Sequence, residues 1–504
     1  MLRPLIISLL LLSACKAASI LFSSMDQGRS HASSLMPLAH RLKKDNHSVS
    51  LEMIMYEKDI DFGVEEEFVD MSGQSNPFAD GDFASIIWRM DFTVLVQMSV
   101  YHDAAKGCAN ALKHRMDRFK EISDSPRDLF VLDSLFSPCG YGIATANGGP
   151  VIIGHTSDME PAPGSMKAYA RNYGILPNNH MTHGVTEMNP SRFIDRVRSS
   201  VEWAIGYFFY AVVWNIEMQW VLSPLAPSFS FTEFHRNAVG SAVDMPDLLF
   251  PPAPRTNDII YYGSYCPPHK KLPEDWLEFV NDPKSKGTII IAFGTYVDWN
   301  MAPPEKVEAF RVAINKLTEY RIVWGYKGVN DWLKPPIQVG DHVRVLGWIP
   351  QSALLHHNKT ALLITHGGLK SVREAICSAV PAVFMPFFGE QARNAFLVQR
   401  AGFAEQLDRH TITAEIVEEK IREMIGSNEH SKAAKVFVEE MMDRPMDALD
   451  EAAFKIRRIL KKRGDKTGMP DYYYPRGRLF GFVQYLSLDI LVAIPILSII
   501  ILSS

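Results

Sequence analysis

Residues 348–394 read WIPQSALLHHNKTALLITHGGLKSVREAICSAVPAVFMPFFGEQARN. Two short apolar runs, 361–365 and 381–385, alternate here with two helical segments around 370–378 and 390–400. Strands and helices that alternate at this spacing are typical of a parallel, doubly wound sheet. Because such sheets bind ligands at the carboxyl ends of their strands, we expect the chemistry of this protein in the loops that follow those strands.

The alternation extends over the rest of the chain. Residues 304–317 have the apolar spacing of a helix, and the aromatic-rich region 192–222 is predicted to be helical as well. A loop over 25–30 leads into an amphipathic stretch around 35–42, and a proline-rich stretch, 250–257, favours a linker between two α/β halves. The other apolar runs predict strands at 18–24, 47–55, 129–132, 151–153, 288–293, 320–324 and 342–346.

The composition is that of a globular protein. Of 504 residues, 47% are hydrophobic and 22% are charged, which excludes a disordered chain, a collagen and a protein with many membrane spans. The 52 basic and 57 acidic residues give a net charge of −5, so no overall basic field favours nucleic acid as a partner. Five cysteines exclude a disulfide-stapled scaffold, and without a Cys-x-x-Cys pair a structural zinc site is not expected.

Both ends of the chain are apolar. Residues 1–17, MLRPLIISLLLLSACKA, combine Arg3, a short apolar run and small residues, and they predict a secretory signal peptide rather than a buried first strand. Residues 479–502 contain a single charge, Asp489, and about 20 apolar residues span a hydrocarbon core of roughly 30 Å. We therefore predict one transmembrane helix there, with a cleaved lipid-anchor signal as the alternative.

These two ends predict a single-pass membrane protein of the endoplasmic reticulum whose body lies in the lumen. Asn46 and Asn358 each begin a glycosylation triplet without proline, as suits such a body. Arg476 and Arg478 would lie on the lumenal side against the positive-inside tendency, but a large translocated domain is largely insensitive to loop charge. The predicted limits are a signal peptide over 1–17, an amino-terminal domain over 18–255, a carboxyl-terminal domain over 256–450, a return and juxtamembrane segment over 451–478, and the transmembrane helix over 479–502.

The order of motifs in residues 348–394 is highly specific. It runs Trp-x-Pro-Gln, His-Gly-Gly, a glutamate eight residues after His366, Pro-x-x-x-x-Pro and Glu-Gln-x-x-Asn. This pattern resembles the signature of the UDP-glycosyltransferases, and of the UDP-glucuronosyltransferases in particular. The resemblance implies an α/β enzyme of two facing Rossmann-like domains (GT-B type), with the acceptor bound by 18–255 and the UDP-sugar by 256–450. UDP-glucuronic acid and UDP-glucose remain alternatives, because the signature does not specify a contact for a sugar carboxylate.

The residue types of the signature suit a nucleotide sugar. The aromatic face of Trp348 can stack on the uracil, and glycines between a strand and a helix let the helix N-terminus approach the diphosphate. Glu374 can accept hydrogen bonds from both ribose hydroxyls. Glu390 and Gln391 can bond the sugar, although glutamate is also favoured at the start of any helix. The donor-binding residues that the resemblance implies are Thr295, Trp348, Gln351, His366, Gly368, Lys370, Ser371, Glu374, Glu390 and Gln391.

Three positions depart from the commoner family pattern. The family often has aspartate where this chain has Glu390, usually asparagine where it has Lys370, and often a basic residue where it has Gly325. Glu390 in place of aspartate alters the reach toward the sugar, and Gly325 in place of a basic residue leaves a contact unassigned. Lys370 in place of asparagine puts a cation beside the expected diphosphate, unless its side chain points into solvent.

The amino half is expected to bind the acceptor and to supply the base. His31 follows the first strand, where the family keeps its catalytic histidine, and Asp133 follows the strand at 129–132 in the matching position. Histidine suits a general base because its unperturbed pKa of about 6.5 lies near working pH. A carboxylate can orient the ring and stabilise the imidazolium. The resemblance thus implies a His31–Asp133 base and transfer with inversion to a small lipophilic alcohol, phenol or acid.

No metal or other cofactor is expected. Asp59-Ile-Asp61 and Asp80-Gly-Asp82 have the spacing of metal-dependent sugar transferases, but neither pair lies in the nucleotide half. Helix N-termini and basic side chains can meet the charge of the diphosphate instead.

Two other functions compete with a membrane-bound transferase. A non-catalytic protein that binds lipophiles or nucleotides on the same fold is disfavoured by the intact catalytic and donor motifs, and a soluble cytosolic transferase is disfavoured by the two apolar ends. The aromatic segment 192–222 would line an apolar acceptor route, lie on the membrane or form a buried helix. The expected partners are the UDP-sugar, the acceptor and the membrane, and a homo-oligomer stays open.

Overall fold

The computed structural model describes residues 17–503 except 27, 58–59, 77–80, 92–93, 135, 160, 170–187, 251–254, 270, 328–335 and 463–468. The predicted signal peptide lies outside the described residues, apart from Ala17. The strands are β1 Ser19–Ser23, β2 Ser48–Glu52, β3 Ile54–Met55, β4 Glu65–Glu66, β5 Val69–Asp70, β6 Leu129–Asp133, β7 Val151–His155, β8 Gly240–Val243, β9 Ile259–Tyr261, β10 Thr288–Ala292, β11 Arg321–Gly325, β12 Val343–Leu346, β13 Thr360–Thr365, β14 Ala382–Phe384 and β15 Ala404–Gln406.

Helices separate most of these strands, and short π and 3-10 turns extend some of them. The α-helices are α1 Arg29–Lys44, α2 Gly81–Arg89, α3 Val94–Asp124, α4 Pro138–Asn147, α5 Pro161–Met166, α6 Phe193–Phe208, α7 Asn215–Leu222, α8 Phe231–Asn237, α9 Glu274–Val280, α10 Pro304–Asn315, α11 Gln351–Leu355, α12 Leu369–Ser378, α13 Gln391–Arg400, α14 Ala414–Gly426, α15 Glu429–Met442, α16 Ala448–Lys462, α17 Phe482–Tyr485 and α18 Leu488–Ser503. A π-helical turn, Phe209–Trp214, joins α6 to α7, and 3-10 turns occur at Trp299–Met301, Asp471–Tyr473 and Arg476–Leu479.

Two parallel sheets define the fold. The first has seven strands in the order β4-β2-β1-β6-β7-β8-β9, and the second has six in the order β12-β11-β10-β13-β14-β15. Every neighbouring pair within both sheets is parallel. Strands of this kind are covered on both faces, and β10 is buried along its whole length, which explains its unbroken apolar sequence TIIIA. The prediction of two α/β domains is confirmed.

Both sheets reverse their strand order beside their first strand. In the first sheet β1 lies between β2 and β6, and in the second β10 lies between β11 and β13. Ligands of open α/β sheets bind at the carboxyl ends of the strands that flank such a reversal. Those ends lead to His31 and Asp133 in the first domain and to Thr295 and His366 in the second.

The chain returns to the first domain after the second. Ala452 and Ile456 of α16 join a buried cluster with Leu38 of α1. Beside this contact, Arg457 forms an ion pair with Asp45 at 3.0 Å. The last long helix of the globular body therefore fastens the end of the second domain to the first.

A buried ion pair joins the two domains near the candidate site. Arg373 on α12 donates a 2.7 Å hydrogen bond from Nη2 to Oδ1 of Asp244, and both side chains are buried. Two further guanidinium nitrogens donate to the carbonyl of Gly263 at 3.2 Å and to the hydroxyl of Tyr265 at 2.9 Å. Because Asp244 follows β8, this pair holds α12 of the second domain against the carboxyl end of the first sheet.

Two disulfides reinforce the same regions. Cys377, one turn after Arg373 on α12, is bonded to Cys266 in the segment between the sheets. Cys108 of α3 is bonded to Cys139 of α4 within the first domain. Helix α12 is thus attached both to the first domain and to the segment that leads out of it.

The predicted transmembrane helix over 479–502 is not found as a single helix among the described residues. The stretch is divided between α17 and α18, with Ser487 at a φ of 54° between them. Among the described residues no helix is both long and apolar enough to cross a membrane.

Other boundaries also differ from the sequence-based ones. Helix α1 begins at Arg29, so His31 lies in a first helical turn rather than after a loop over 25–30. The run 47–55 splits between β2 of the first sheet and the separate pair β3–β5. Strand β9 belongs to the first sheet although it follows the predicted domain boundary at 255. The 31-residue α3, which has a kink at Arg115, was not predicted from the sequence.

We expect Arg373→Ala to destabilise the protein strongly. Removing one partner of a buried ion pair leaves an uncompensated charge, here on Asp244, and costs about 3–5 kcal/mol. The free energy of unfolding in urea measures this loss. Arg400→Ala, an exposed arginine on the neighbouring α13, is the control and should change that free energy by less than about 0.5 kcal/mol. Equal stability of the two variants would contradict the proposed importance of the pair.

Candidate active site

A cavity of about 570 Å³ lies between the carboxyl ends of the two sheets. Both domains contribute to its wall, as expected for strands that reverse their order at this edge. The structure thereby brings together side chains that are more than 200 residues apart in the sequence. The predicted site residues on this wall are His31, Asp133, Thr295, Trp348, His366, Gly368, Lys370, Ser371, Glu390 and Gln391.

His31 is held by a buried carboxylate. Its Nδ1 lies 2.6 Å from Oδ2 of Asp133, which is buried at the end of β6. Burial lowers the pKa of His31, but the Asp133 carboxylate beside it raises the pKa by a larger amount. The pKa of His31 therefore lies above 6.5. Because Nδ1 faces the carboxylate, Nε2 is the ring nitrogen that can exchange a proton with a substrate.

Two neighbours of His31 were not predicted from the sequence. Thr156 Oγ1 lies 3.1 Å from Nδ1 of His31, and the ring of Phe136 meets the imidazole edge-on at a centroid distance of 5.2 Å. Thr156 directly follows β7, so the strand-end rule applied to Asp133 could have found it. Phe136 lies in the loop after β6, and no sequence signal distinguishes it from a packing residue.

The Gly367-Gly368 turn is shaped around the ring of His366. A Cβ on Gly368 would lie 2.6 Å from Nε2 of His366, and a Cβ on Gly294, after β10, would lie 2.9 Å from Cε1. Gly367 itself has a φ of 88°, which disfavours any residue with a side chain. Burial lowers the pKa of His366 to about 4, so the ring is neutral at pH 7 and offers a single N–H.

Helix α12 starts directly after this turn and carries a half-buried cation into the cavity. Gly368 is the N-cap residue, and no side chain caps the helix. Lys370 in the first turn lines the cavity, and burial lowers its pKa to about 8. Within the described part of the chain, no carboxylate forms an ion pair with its ammonium. The free N–H groups and this cation favour an anion at the same place, and the position of Lys370 on the cavity wall is consistent with the expectation that it faces the ligand.

Gln351 and Glu374 are half-buried beside the cavity, next to the lining residue Ser371. Gln351 Nε2 donates to Oε2 of Glu374 at 2.6 Å and to Oγ of Ser371 at 3.2 Å. The hydrogen bond from Gln351 lowers the pKa of Glu374, but burial raises it by a larger amount. The pKa of Glu374 is therefore above its ordinary value. Nearby, Trp348 lines the cavity with 76% of its surface exposed, which leaves an aromatic face open to a planar group.

The Glu-Gln-x-x-Asn motif is partly structural. Gln391 Oε1 accepts the N–H groups of Phe387 at 2.9 Å and Phe388 at 3.2 Å, so this oxygen closes the turn before α13. Asn394 donates to the carbonyl of Gly367 at 3.0 Å and thereby braces the glycine turn. Glu390 is the N-cap residue of α13 and lies on the cavity wall.

The remaining predicted sites lie away from the cavity or outside the described residues. Asn46 and Asn358 are both exposed, as a glycosylation acceptor must be. Asp59 and Asp80 belong to the residues that are not described. Among the others, no three His, Cys, Asp or Glu side chains are grouped to hold a metal ion.

This arrangement is the GT-B fold that glycosyltransferases adopt. CalG4, a calicheamicin glycosyltransferase, is 16% identical, with a TM-score of 0.59 over 89% of this chain and 100% of that chain. VinC, a glycosyltransferase solved in complex with dTDP, is 15% identical, with a TM-score of 0.57 over 88% of this chain and 100% of that chain. At such low identities these likenesses establish the fold alone.

The family follows from the sequence comparison. Residues 15–503 match the family model described as "UDP-glucoronosyl and UDP-glucosyl transferase", and the chain belongs to that family. UDP-glucuronosyltransferase 2A3 of Cavia porcellus is 26% identical over 419 residues, which cover 78% of this chain and 71% of the relative. The human 2A3 enzyme is 25% identical over 420 residues, covering 80% and 73%. The protein is therefore a UDP-glycosyltransferase.

Proposed function

We propose that the enzyme transfers the sugar of UDP-glucuronic acid or UDP-glucose to a hydroxyl group of a small lipophilic acceptor, with inversion at the anomeric carbon. The observation that carries this proposal is the 2.6 Å contact between His31 Nδ1 and Asp133 Oδ2, on the wall opposite the Gly367-Gly368 turn. A base and an anion-binding turn on facing domains suit attack on one side of a sugar and departure of UDP on the other.

His31 acts as the general base. The acceptor hydroxyl donates to Nε2, which takes the proton while the acceptor oxygen bonds to the anomeric carbon. Asp133 orients the ring and stabilises the imidazolium, and the Thr156 hydroxyl restrains the same nitrogen. The bond from the anomeric carbon to the diphosphate oxygen breaks as the new bond forms, so UDP leaves with the electron pair and the configuration inverts.

The second domain binds the donor. The N-terminus of α12, the neutral His366 and the Lys370 ammonium meet the diphosphate, and Thr295 approaches it from the end of β10. Trp348 stacks on the uracil, Glu374 together with Gln351 and Ser371 binds the ribose, and Glu390 and the Gln391 amide bind the sugar. These groups supply positive potential where negative charge grows on UDP, so the reaction proceeds without a metal ion.

The body of the enzyme is proposed to lie in the lumen of the secretory pathway, in the endoplasmic reticulum. Two disulfides support this location, because such bonds persist in oxidising compartments. The exposed Asn46 and Asn358 are then available for glycosylation. The apolar start of the chain acts as the signal peptide in this proposal.

We expect His31→Ala to remove the base and leave donor binding intact. Loss of a general base typically costs about 10²–10⁴ in rate, whereas UDP binds to the other domain. Product formation with a phenol library, followed by mass spectrometry, measures the transfer rate. Calorimetry with UDP measures donor binding. His114→Ala, an exposed histidine of the same domain, is the control. Turnover of a good acceptor by His31→Ala at the wild-type rate would refute the assignment.

The pH dependence should report the same dyad. His31 must be neutral to accept a proton, and its pKa lies above 6.5, so kcat/KM should fall as pH drops through that raised value. In Asp133→Asn the carboxylate that raises the pKa is gone, so the acidic limb should move to lower pH while the maximal rate falls. An acidic limb at the same pH in both proteins would show that another group controls it.

Lys370 should strengthen donor binding through its charge. Lys370→Glu places an anion beside the diphosphate and should weaken UDP binding by more than about tenfold, while Lys370→Asn, which keeps a neutral donor, should weaken it less. The loss in Lys370→Glu should shrink as salt rises, because screening weakens the repulsion. Calorimetry with UDP at low and high salt tests this, with Lys432→Glu as an exposed charge-reversal control. Equal affinities of all forms would assign the diphosphate to His366 and the backbone alone.

A further inference from the structure

Helix α3 lines the first-domain side of the cavity mainly with polar side chains. Its members on the cavity wall are Gln97, Ser99, Val100 and Asp103, and three of these four are polar. The hydroxyl of Ser99 already donates to the carbonyl of Val96 at 2.7 Å, so toward a ligand it can only accept a hydrogen bond. A wall of this composition does not suit a purely aliphatic molecule.

Gln97 leaves one half of its amide unused. Its side chain is buried, with 7% of the residue exposed, and Nε2 donates to the hydroxyl of Tyr101 at 2.6 Å. The Oε1 atom accepts no hydrogen bond from any residue that the structure describes. A buried amide oxygen without a donor is unfavourable. A hydrogen-bond donor on a bound molecule is therefore favoured at this part of the cavity.

Asp103, six residues further along α3, adds a negative charge to the same wall. Its side chain is 43% exposed, and its ion pair with Lys106 spans 3.7 Å on the surface of the helix. Exposed pairs of this kind contribute little free energy, so the carboxylate can exchange Lys106 for another cation at small cost. The wall of α3 therefore favours a donor that carries a positive charge.

Phe136 connects this wall to the base. Its ring meets the imidazole of His31 edge-on at a centroid distance of 5.2 Å. On its other side it stacks at 4.9 Å on Tyr101, which is the hydrogen-bond partner of Gln97. The base and the polar wall are thus joined by two consecutive ring contacts. A molecule with one aromatic ring and a short side chain covers such a span.

We propose that the acceptor carries a second hydrogen-bond donor besides the hydroxyl that receives the sugar, and that Gln97 and Asp103 bind this donor. A protonated amine fits best, because it can donate to both oxygens and pair with the carboxylate. The acceptor is then a phenol with a basic side chain, whose ring lies on Phe136 and whose hydroxyl lies at His31. The inference rests on the proposed function for the place of that hydroxyl and deepens it by naming the class of acceptor.

Three phenols that differ only at the far end of the side chain test the proposal. They are 4-(2-aminoethyl)phenol, 4-(2-hydroxyethyl)phenol and 4-ethylphenol. Calorimetry on the full-length enzyme saturated with UDP measures the Kd of each without any transfer. The amine should bind roughly tenfold or more tightly than the ethyl compound, with the alcohol between them, because charge-assisted hydrogen bonds are stronger than neutral ones. Mass spectrometry of the products with UDP-glucuronic acid and with UDP-glucose measures transfer separately.

Two variants assign the effect to the wall of α3. Asp103→Asn removes the charge at constant size and should weaken binding of the amine roughly tenfold, with a smaller change for the alcohol. Gln97→Met removes the free oxygen and should weaken binding of both. The control is Asp117→Asn, an exposed aspartate of the same helix that does not line the cavity, and it should keep the wild-type order. If Gln97→Met does not fold, Asp103→Asn decides alone.

Two results would overturn the proposal. The first is equal affinity of the wild-type enzyme for the three phenols, and the second is an Asp103→Asn variant that binds the amine as tightly as the wild type. Either result leaves the proposed transfer reaction standing, since transfer is measured separately. Conversely, amine binding that depends on Asp103 but yields no glycoside would support the polar wall and contradict the role of His31.

Discussion

The ion pair between Arg373 and Asp244 is the constraint on which the active site depends. One helix, α12, presents its free N-terminus and Lys370 to the cavity and sends Arg373 into the first domain, where the guanidinium also reaches Gly263 and Tyr265. Moving α12 away from the first sheet would leave a buried carboxylate without its cation, which is strongly unfavourable. The separation between His31 on one domain and the glycine turn on the other is therefore set by a contact outside the cavity.

Burial and neighbouring carboxylates shift the pKa values of three basic groups of the cavity in different directions. Burial lowers the pKa of His366 to about 4 and that of Lys370 to about 8, so the histidine is neutral and the lysine keeps its charge at pH 7. The pKa of His31 is raised, because the effect of the Asp133 carboxylate is larger than that of burial. Desolvation acts on all three, and the nearby carboxylate decides the direction for His31. A neutral donor, a cation and a poised base thus lie in one cavity without any metal ligand set among the described residues.

The apolar parts of the molecule show where sequence patterns are ambiguous. The composition of 479–502 is that of a membrane span, yet the structure divides this stretch at Ser487 between two helices. The segment 192–222 was predicted to be helical, and three roles stayed open for it because its composition alone does not orient it. Its inner rings fill the core around Tyr101 while its outer aliphatic side chains face away, and that orientation follows from tertiary packing.

The sequence by itself determined the two α/β domains, the donor signature and the strand-end positions of His31, Asp133 and His366. These properties are local, because the period of apolar residues and the residue types after a strand can be read from short stretches of the sequence. The tertiary structure alone decided that Arg373 pairs with Asp244, that Thr156 reaches His31, and that Asn394 braces Gly367. Such partners lie far apart in the chain, and only the packing of complete domains brings their atoms within hydrogen-bond distance.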